Sequence, residues 1–268
     1  MPRDSKKEFE MSKLSIEGKI RKDILDAALH SGKIGAHIAP SLSLVEIVIA
    51  ILEDFQIGKD VFVLSKGHGA LGYYAVMHQL NMISDEQFES FEVNGGEFPG
   101  QPSRTKNNHI DYSSGSLGMG LSYGVGRAWN NNETKVFVVL GDGELNEGSV
   151  WEAAALAAKL ALTNIYAIVD CNGLQSDGQC KEILGLELDK IWKAYGWHVE
   201  ICDGHSVKEI QNKLRARQKD CPTVILANTV KGKGISFMEN NNEWHHNELK
   251  DEQYEMAVTE LGEKYGFS

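Results

Sequence analysis

A chain of 268 residues, 42% of them apolar, is long enough to bury a sizeable core within one large domain. Its 27 basic and 38 acidic residues give a formal net charge of -11, which opposes non-specific nucleic-acid binding and makes any phosphate site a local feature. No run of about 18 apolar residues is present, and the first dozen residues lack the apolar segment of a signal peptide. Cys171, Cys180, Cys202 and Cys221 show no CxxC spacing, so reduced thiols are expected ahead of a zinc site or disulfide framework, and a cytoplasmic protein is expected ahead of a secreted or membrane-spanning one.

Residues 1–12 read as a polar extension ahead of a single domain over 13–268, because no Pro-, Gly- or Ser-rich linker and no internal repeat divides the remainder. Ile16 to His30 has the spacing of an amphipathic helix that Gly32 would end, and Ser43 to Phe55, apolar nearly all round, predicts a buried helix. Val61 to Leu64 predicts a short strand, Gly69 to Leu80 a helix, and Ser84-Asp-Glu-Gln87 the capping box of a further short helix. Strands are then expected at Lys135–Leu140, Asn164–Asp170, Trp197–Cys202 and Thr223–Val230, with helical patterns between them, one opened by Ser206-Val-Lys-Glu209. This alternation predicts an α/β fold: a parallel sheet with helices on both faces, whose ligands bind beyond the carboxyl ends of the strands.

Two of those strand ends carry polar groups 30 residues apart. Val136 to Leu140 runs into Gly141-Asp142-Gly143-Glu144, where glycine lets the backbone approach a bulky anion. The alanine-rich stretch Glu147 to Lys159 predicts a helix whose N-terminal N–H groups point back at the same loop. Asn164 to Asp170 then returns beside the first strand by a right-handed crossover and ends in Cys171-Asn172-Gly173-Leu174. The Asp142 carboxylate, the Asn172 amide oxygen and the Leu174 carbonyl are hard oxygen donors suited to Mg2+ or Ca2+, with phosphate oxygens and water completing the shell. The expected ligand is a metal diphosphate. The lone Gly-Asp-Gly would be ordinary turn chemistry; the second polar strand end is what distinguishes it.

Taken together, several motifs resemble those of thiamine-diphosphate enzymes, and within them the N-terminal half of transketolase, especially members whose two halves are separate polypeptides. They are Leu64-Ser-Lys-Gly-His68-Gly, Ser113-Ser-Gly115-Ser-Leu117-Gly-Met-Gly120-Leu-Ser, Gly141-Asp-Gly143, Asp170-Cys-Asn172-Gly-Leu-Gln-Ser-Asp-Gly178, and Thr229-Val-Lys-Gly-Lys-Gly-Ile-Ser-Phe-Met-Glu-Asn240 ending in Glu243-Trp-His245. The resemblance implies the thiamine-diphosphate-binding fold, with thiamine diphosphate held through Mg2+ (or Ca2+) by Asp142, Asn172 and the Leu174 carbonyl. It further implies cofactor contacts from His68, Gly115, Ser116, Leu117, Gly141, Gly143, Glu144 and His245. His37, His68 and His245 fall at positions that face substrate or diphosphate, whereas His109 matches no family position. On residues alone the glycines from Gly115 to Gly126 suit close helix packing, and Lys231-Gly-Lys233-Gly suits a solvated loop as well as a phosphate contact.

Gln101 in Phe98-Pro-Gly-Gln101-Pro-Ser stands where the family has a histidine touching the donor. Its amide can donate and accept hydrogen bonds but cannot shuttle a proton near neutral pH. His246, Asn247 and Glu248 also replace small residues of the family pattern. In the family, the glutamate acting on the aminopyrimidine belongs to a following pyrimidine-binding domain. The 38 residues after Val230 are too few for another domain of roughly 100 residues, so a C-terminal partner chain in an α2β2 assembly is expected. Three functions stay open. The chain is the diphosphate-binding subunit of a two-chain transketolase moving a ketol unit from a ketose phosphate to an aldose. Alternatively, it feeds a lipoyl group, carrier protein or specialised-metabolite acceptor, or it is a non-catalytic scaffold.

Overall fold

The computed structural model describes residues 14–106, 108–216 and 218–266; the expected polar extension over 1–12 lies outside them. In chain order, helix α1 (Ile16–Ser31) is capped at its start by Ser15, whose side chain accepts from the Gly18 amide, and ends at Gly32 with φ 54°. Helices α2 (Ile38–Ser43) and α3 (Val45–Leu52) follow, then strand β1 (Val61–Leu64), α4 (Ala70–Gln79) and α5 (Asp85–Glu89). Next come α6 (Met119–Asn130), β2 (Val136–Gly141), α7 (Gly148–Lys159), β3 (Ile165–Cys171), the small hairpin β4 (Leu174–Gln175) and β5 (Gly178–Gln179), and α8 (Cys180–Leu184). The chain continues through α9 (Leu188–Ala194), β6 (His198–Asp203), α10 (Val207–Arg215), β7 (Thr223–Asn228) and α11 (Asp251–Tyr265).

The main sheet is parallel throughout, in the order β1-β2-β3-β7-β6. Side chains alternate between its faces with the two-residue period of a strand, and both faces are covered. Phe62, Leu64, Phe137, Val139, Tyr166 and Ile168 join the core formed with α1 to α4 and α11. Val61, Val63, Val136, Val138, Leu140 and Ile165 join the second core, under α6 and α7. The predicted sheet and its helical layers are therefore present, with strand limits displaced by one or two residues.

One element is additional. The helix expected over 43–55 is α3, and the short helix α2, for which no helix was expected, precedes it and ends at Leu44 (φ -102°, ψ 4°). Ser43 Oγ lies 2.6 Å from Asp170 Oδ2 and 3.1 Å from the Pro40 carbonyl, and its one proton is shared between these two acceptors. Those side-chain bonds compete with a continuous helical ladder. All eight residues of α3 are buried, as its all-round apolar pattern requires, and they include Glu46.

Glu46 is matched by Arg21 of α1 at 2.7 Å and by His205 Nδ1 at 2.9 Å. Burial alone would push this carboxyl up; the Arg21 guanidinium and His205 outweigh it and hold it down at about 2. A folded-state value below the ordinary 4.5 means the group contributes stability above that value and loses it as pH falls towards 2. Thermal melts between pH 5 and pH 2.5 should therefore show an acid-side loss that Glu46→Gln flattens, at the cost of lower stability at neutral pH. An unchanged acid slope in that variant would show that the pair is not responsible.

Candidate cofactor and metal site

The carboxyl ends of β2 and β3 are in register, Gly141 opposite Asp170, so the residues that follow meet side by side. Asp142 Oδ1 accepts from the Gly143 amide at 2.9 Å, and Oδ2 accepts from the Gly173 amide, next to Asn172, at 2.6 Å. Asn172 Oδ1 accepts from the Leu174 amide at 3.1 Å while its Nδ2 donates to Asp170 Oδ2 at 3.2 Å. The two loops predicted to share a cation thus touch through the Asp142 carboxylate. Burial, then the charge of Asp170, pushes Asp142 up from its ordinary value, and backbone N–H groups only partly offset this. A cation would supply the missing compensation.

Gln175 adds a second indication. Its Cβ lies 2.7 Å from where a Cβ on Gly143 would stand, so any larger residue at 143 would collide with it. Its Nε2 is buried with no hydrogen-bond partner among the described residues, a donor that an oxygen-rich ligand would satisfy. These residues fit a metal diphosphate. Among the described residues no group of three or more His, Cys, Asp or Glu side chains is placed to hold a metal. Burial and then Asp142 push the nearby Cys180 thiol up to about 12, keeping it protonated.

Beneath the two loops lies a buried hub absent from the predicted site. Lys66 and Asp170, both fully buried, form an ion pair, and the Asp170 carboxylate also accepts from Ser43, Asn172 and Thr229. Burial would raise the Asp170 pKa; Lys66 and the hydroxyl donors reverse this and hold it below its ordinary range. One carboxylate therefore fixes the segment leading to His68, the metal loop and the start of the segment over 229–234.

His37, His68 and His245 do converge. Their ring centroids lie 6.1 Å (His37–His68), 5.5 Å (His37–His245) and 5.3 Å (His68–His245) apart. His246 packs on His37 at 4.6 Å. Burial, then neighbouring positive charge, lowers His37 to about 4 and His245 to about 3, and sends His68 well below its ordinary value. All three are neutral at pH 7, each able to donate from one ring nitrogen and accept at the other.

Lys231, expected as readily in a solvated loop, is only 1% exposed. The turn at Gly232, φ 81°, folds the segment inward, and the Gly232 amide donates to the Ala39 carbonyl at 3.0 Å. Lys231 Nζ reaches His245 Nδ1 at 2.9 Å and Asn242 Oδ1 at 3.1 Å. Burial, then Lys66, lowers Lys231 to about 8, leaving it mostly an ammonium donor at neutral pH. A donor at His245 Nδ1 sets the ring proton on Nε2.

Glu144, expected to contact the cofactor, is 2% exposed. Its carboxylate accepts from Ser65 Oγ, the Gly118 amide (2.8 Å) and the Gly141 amide (3.1 Å). The structure thus gives it a loop-pinning place, because three protein donors take its oxygens. That pin brings the 115–118 segment to the strand ends. Gly115, Ser116 and Leu117 are exposed there, and no atom lies within 4 Å of a Cβ position on Gly115. Further along, Gly120 and Gly124 allow α6 to approach Ser65 and Val138, so close packing and an open loop coexist in one glycine-rich run. Gln101 lines a cavity of about 300 Å³ together with His37 and His246. The exposed His109 has no place in the histidine cluster. Lys66, Asp170 and Gln175 went unassigned because their significance lies in contacts between distant segments.

Comparison with known proteins gives a consistent set of similarities. The family model described as transketolase, thiamine diphosphate binding domain, matches residues 35–268. An apulose-4-phosphate transketolase subunit of Actinobacillus succinogenes is 37% identical, covering 85% of this chain and 88% of the relative. The 6-deoxy-6-sulfo-D-fructose transketolase subunit SqwG of Clostridium sp. (strain MSTE9) is 36% identical, with 88% and 91% covered. Transketolase of Campylobacter jejuni shares the fold, with a TM-score of 0.81 at 23% identity; the match covers 95% of this chain but only 43% of that one.

Proposed function

Because the chain belongs to the transketolase thiamine-diphosphate-binding-domain family, we propose that it is the diphosphate-binding subunit of a two-chain transketolase. It moves a two-carbon ketol unit from a ketose phosphate to an aldehyde or aldose acceptor. The observation that carries this is the contact between the Asp142 carboxylate and the Asn172 loop, beside three neutral histidines. Asp142, the Asn172 amide oxygen and the Leu174 carbonyl would hold Mg2+ (or Ca2+) for a thiamine diphosphate. When bound, that cofactor supplies the carbon nucleophile on which ketose cleavage depends.

The chain's own residues position and protonate. His245, with Lys231 at its Nδ1, presents an Nε2–H donor to developing oxygen charge, and neutral His68 and His37 hydrogen-bond substrate or diphosphate oxygens. Gly115, Ser116 and Leu117 would border the ring of the bound cofactor. Residues 13–268 form one thiamine-diphosphate-binding domain of a cytoplasmic protein. Among the described residues, no helix is long and apolar enough to cross a membrane. The complementary chain carries the pyrimidine-binding domain, in an α2β2 assembly. The need for a partner chain, though not its kind or number, is supported by a relative that is itself named as one subunit of a transketolase and that this chain matches over 88% of its length.

Co-expression with a pyrimidine-binding chain tests the proposal, using ketose phosphate donors against aldose and carrier-bound acceptors. The pair should transfer ketol units only when thiamine diphosphate and a divalent cation are supplied. The isolated chain should transfer nothing above the cofactor-only background; equal turnover by the isolated chain would refute the two-chain arrangement.

A further inference from the structure

Beside the histidine cluster, the cavity holding Gln101 has one carboxylate in its wall, Glu92. Glu92 adopts φ 54°, a left-handed backbone that non-glycine residues seldom take and that recurs at functional sites. Its amide donates to the Phe98 carbonyl at 3.2 Å, which holds the turn in place. Two glycines make room for these side chains. Glu92 Oε1 fills the space that a Cβ on Gly100 would need, and Gln101 Oε1 fills the corresponding space at Gly67. Gly67 precedes His68 and Gly100 precedes Gln101, so both side chains rest on backbone beside residues of the proposed site.

Among the described residues, neither the Glu92 carboxylate nor the Gln101 amide has a hydrogen-bond partner of its own. No lysine or arginine lines the cavity, and His37 on its wall is held neutral by burial and nearby positive charge. The polar groups of the wall are the Glu92 carboxylate, the Gln101 amide and the imidazoles of His37 and His246, a set of donors and acceptors suited to hydroxyl groups, and the carboxylate disfavours a phosphate or sulfonate beside it.

We propose that Glu92 is a specificity-determining residue: with Gln101 it hydrogen-bonds hydroxyls on the uncharged part of a sugar chain and keeps any anionic end outside this cavity. This rests on the transketolase reading only in taking the ligand to be a sugar. Two of the relatives are named for a phosphorylated and a sulfonated sugar. For a sugar of that kind, the charged terminus would lie beyond Glu92.

Calorimetry on the reconstituted two-chain complex, loaded with thiamine diphosphate, tests this with the unreactive polyol D-arabinitol and with inorganic phosphate. The wild-type complex should bind D-arabinitol. Glu92→Gln should weaken that binding about tenfold, the scale of one hydrogen bond to a charged group. Glu92→Gly, which suits the left-handed backbone, should do the same in a fully folded complex, and Glu92→Lys should make phosphate compete with the polyol. Thiamine diphosphate affinity should stay unchanged in all three variants. Wild-type-like polyol binding by both Glu92→Gln and Glu92→Gly would overturn the role of Glu92. So would a wild-type complex that takes up cofactor but no polyol. A complex that takes up no cofactor would instead overturn the transketolase reading, and this inference with it.

Discussion

Asp142→Asn is expected to weaken thiamine diphosphate binding by the reconstituted complex by at least about 100-fold, the upper end of what losing even an outer-shell partner costs a metal site. The chain itself should melt within roughly 4 °C of wild type. Two opposed effects keep the stability change small. The amide removes a buried negative charge that faces Asp170 and that burial already disfavours. It also leaves one of the Gly143 and Gly173 amides without its acceptor, a loss on the order of 1 kcal/mol. Titration of the cofactor with Mg2+ present, paired with a thermal melt of the same sample, separates the two readouts. Wild-type affinity in the variant would rule out Asp142 as a cation ligand.

The largest stability effect is expected at Asp170. Asp170→Ala removes the counter-charge of a fully buried Lys66 and the acceptor of Ser43, Thr229 and Asn172. Breaking such a pair from one side costs about 3–5 kcal/mol, which for a chain of this size lowers the melting temperature by roughly 6–20 °C. The double substitution Lys66→Met with Asp170→Leu should recover much of that loss, because no unpaired charge stays buried. It should not recover cofactor binding, since the Asn172 amide has lost its anchor. Equal destabilisation by the single and double variants, read from the same melts, would show that the uncompensated lysine is not the cause.

The sheet was legible in the sequence because β2, β3 and β7 are nearly unbroken β-branched and aliphatic runs closed by Gly, Asp or Asn, a pattern with few other solutions. The pairing of Asp142 with Asn172 was legible for the same reason: two parallel neighbours place their ends together whatever the side chains do. The break at Leu44 was not, because it depends on Ser43 bonding to a residue 127 positions away. The Lys66–Asp170 hub escaped for a related reason, since its members come from four separated segments and a lone charge gives no sign of burial. Lys231 between glycines has the composition of a solvated loop, yet those glycines are what let the chain fold the ammonium inward against His245. The resemblance implied a cofactor contact from Glu144, while the tight turn after Asp142 directs its carboxylate back to Ser65 and Gly118.

The central claim, a divalent cation tying a diphosphate to the ends of β2 and β3, is tested most directly by titrating thiamine diphosphate into the reconstituted two-chain complex with and without Mg2+. Saturable uptake that needs the metal and is reversed by EDTA is the predicted result. Uptake of equal affinity in the metal-free complex, or no uptake under either condition, would contradict it.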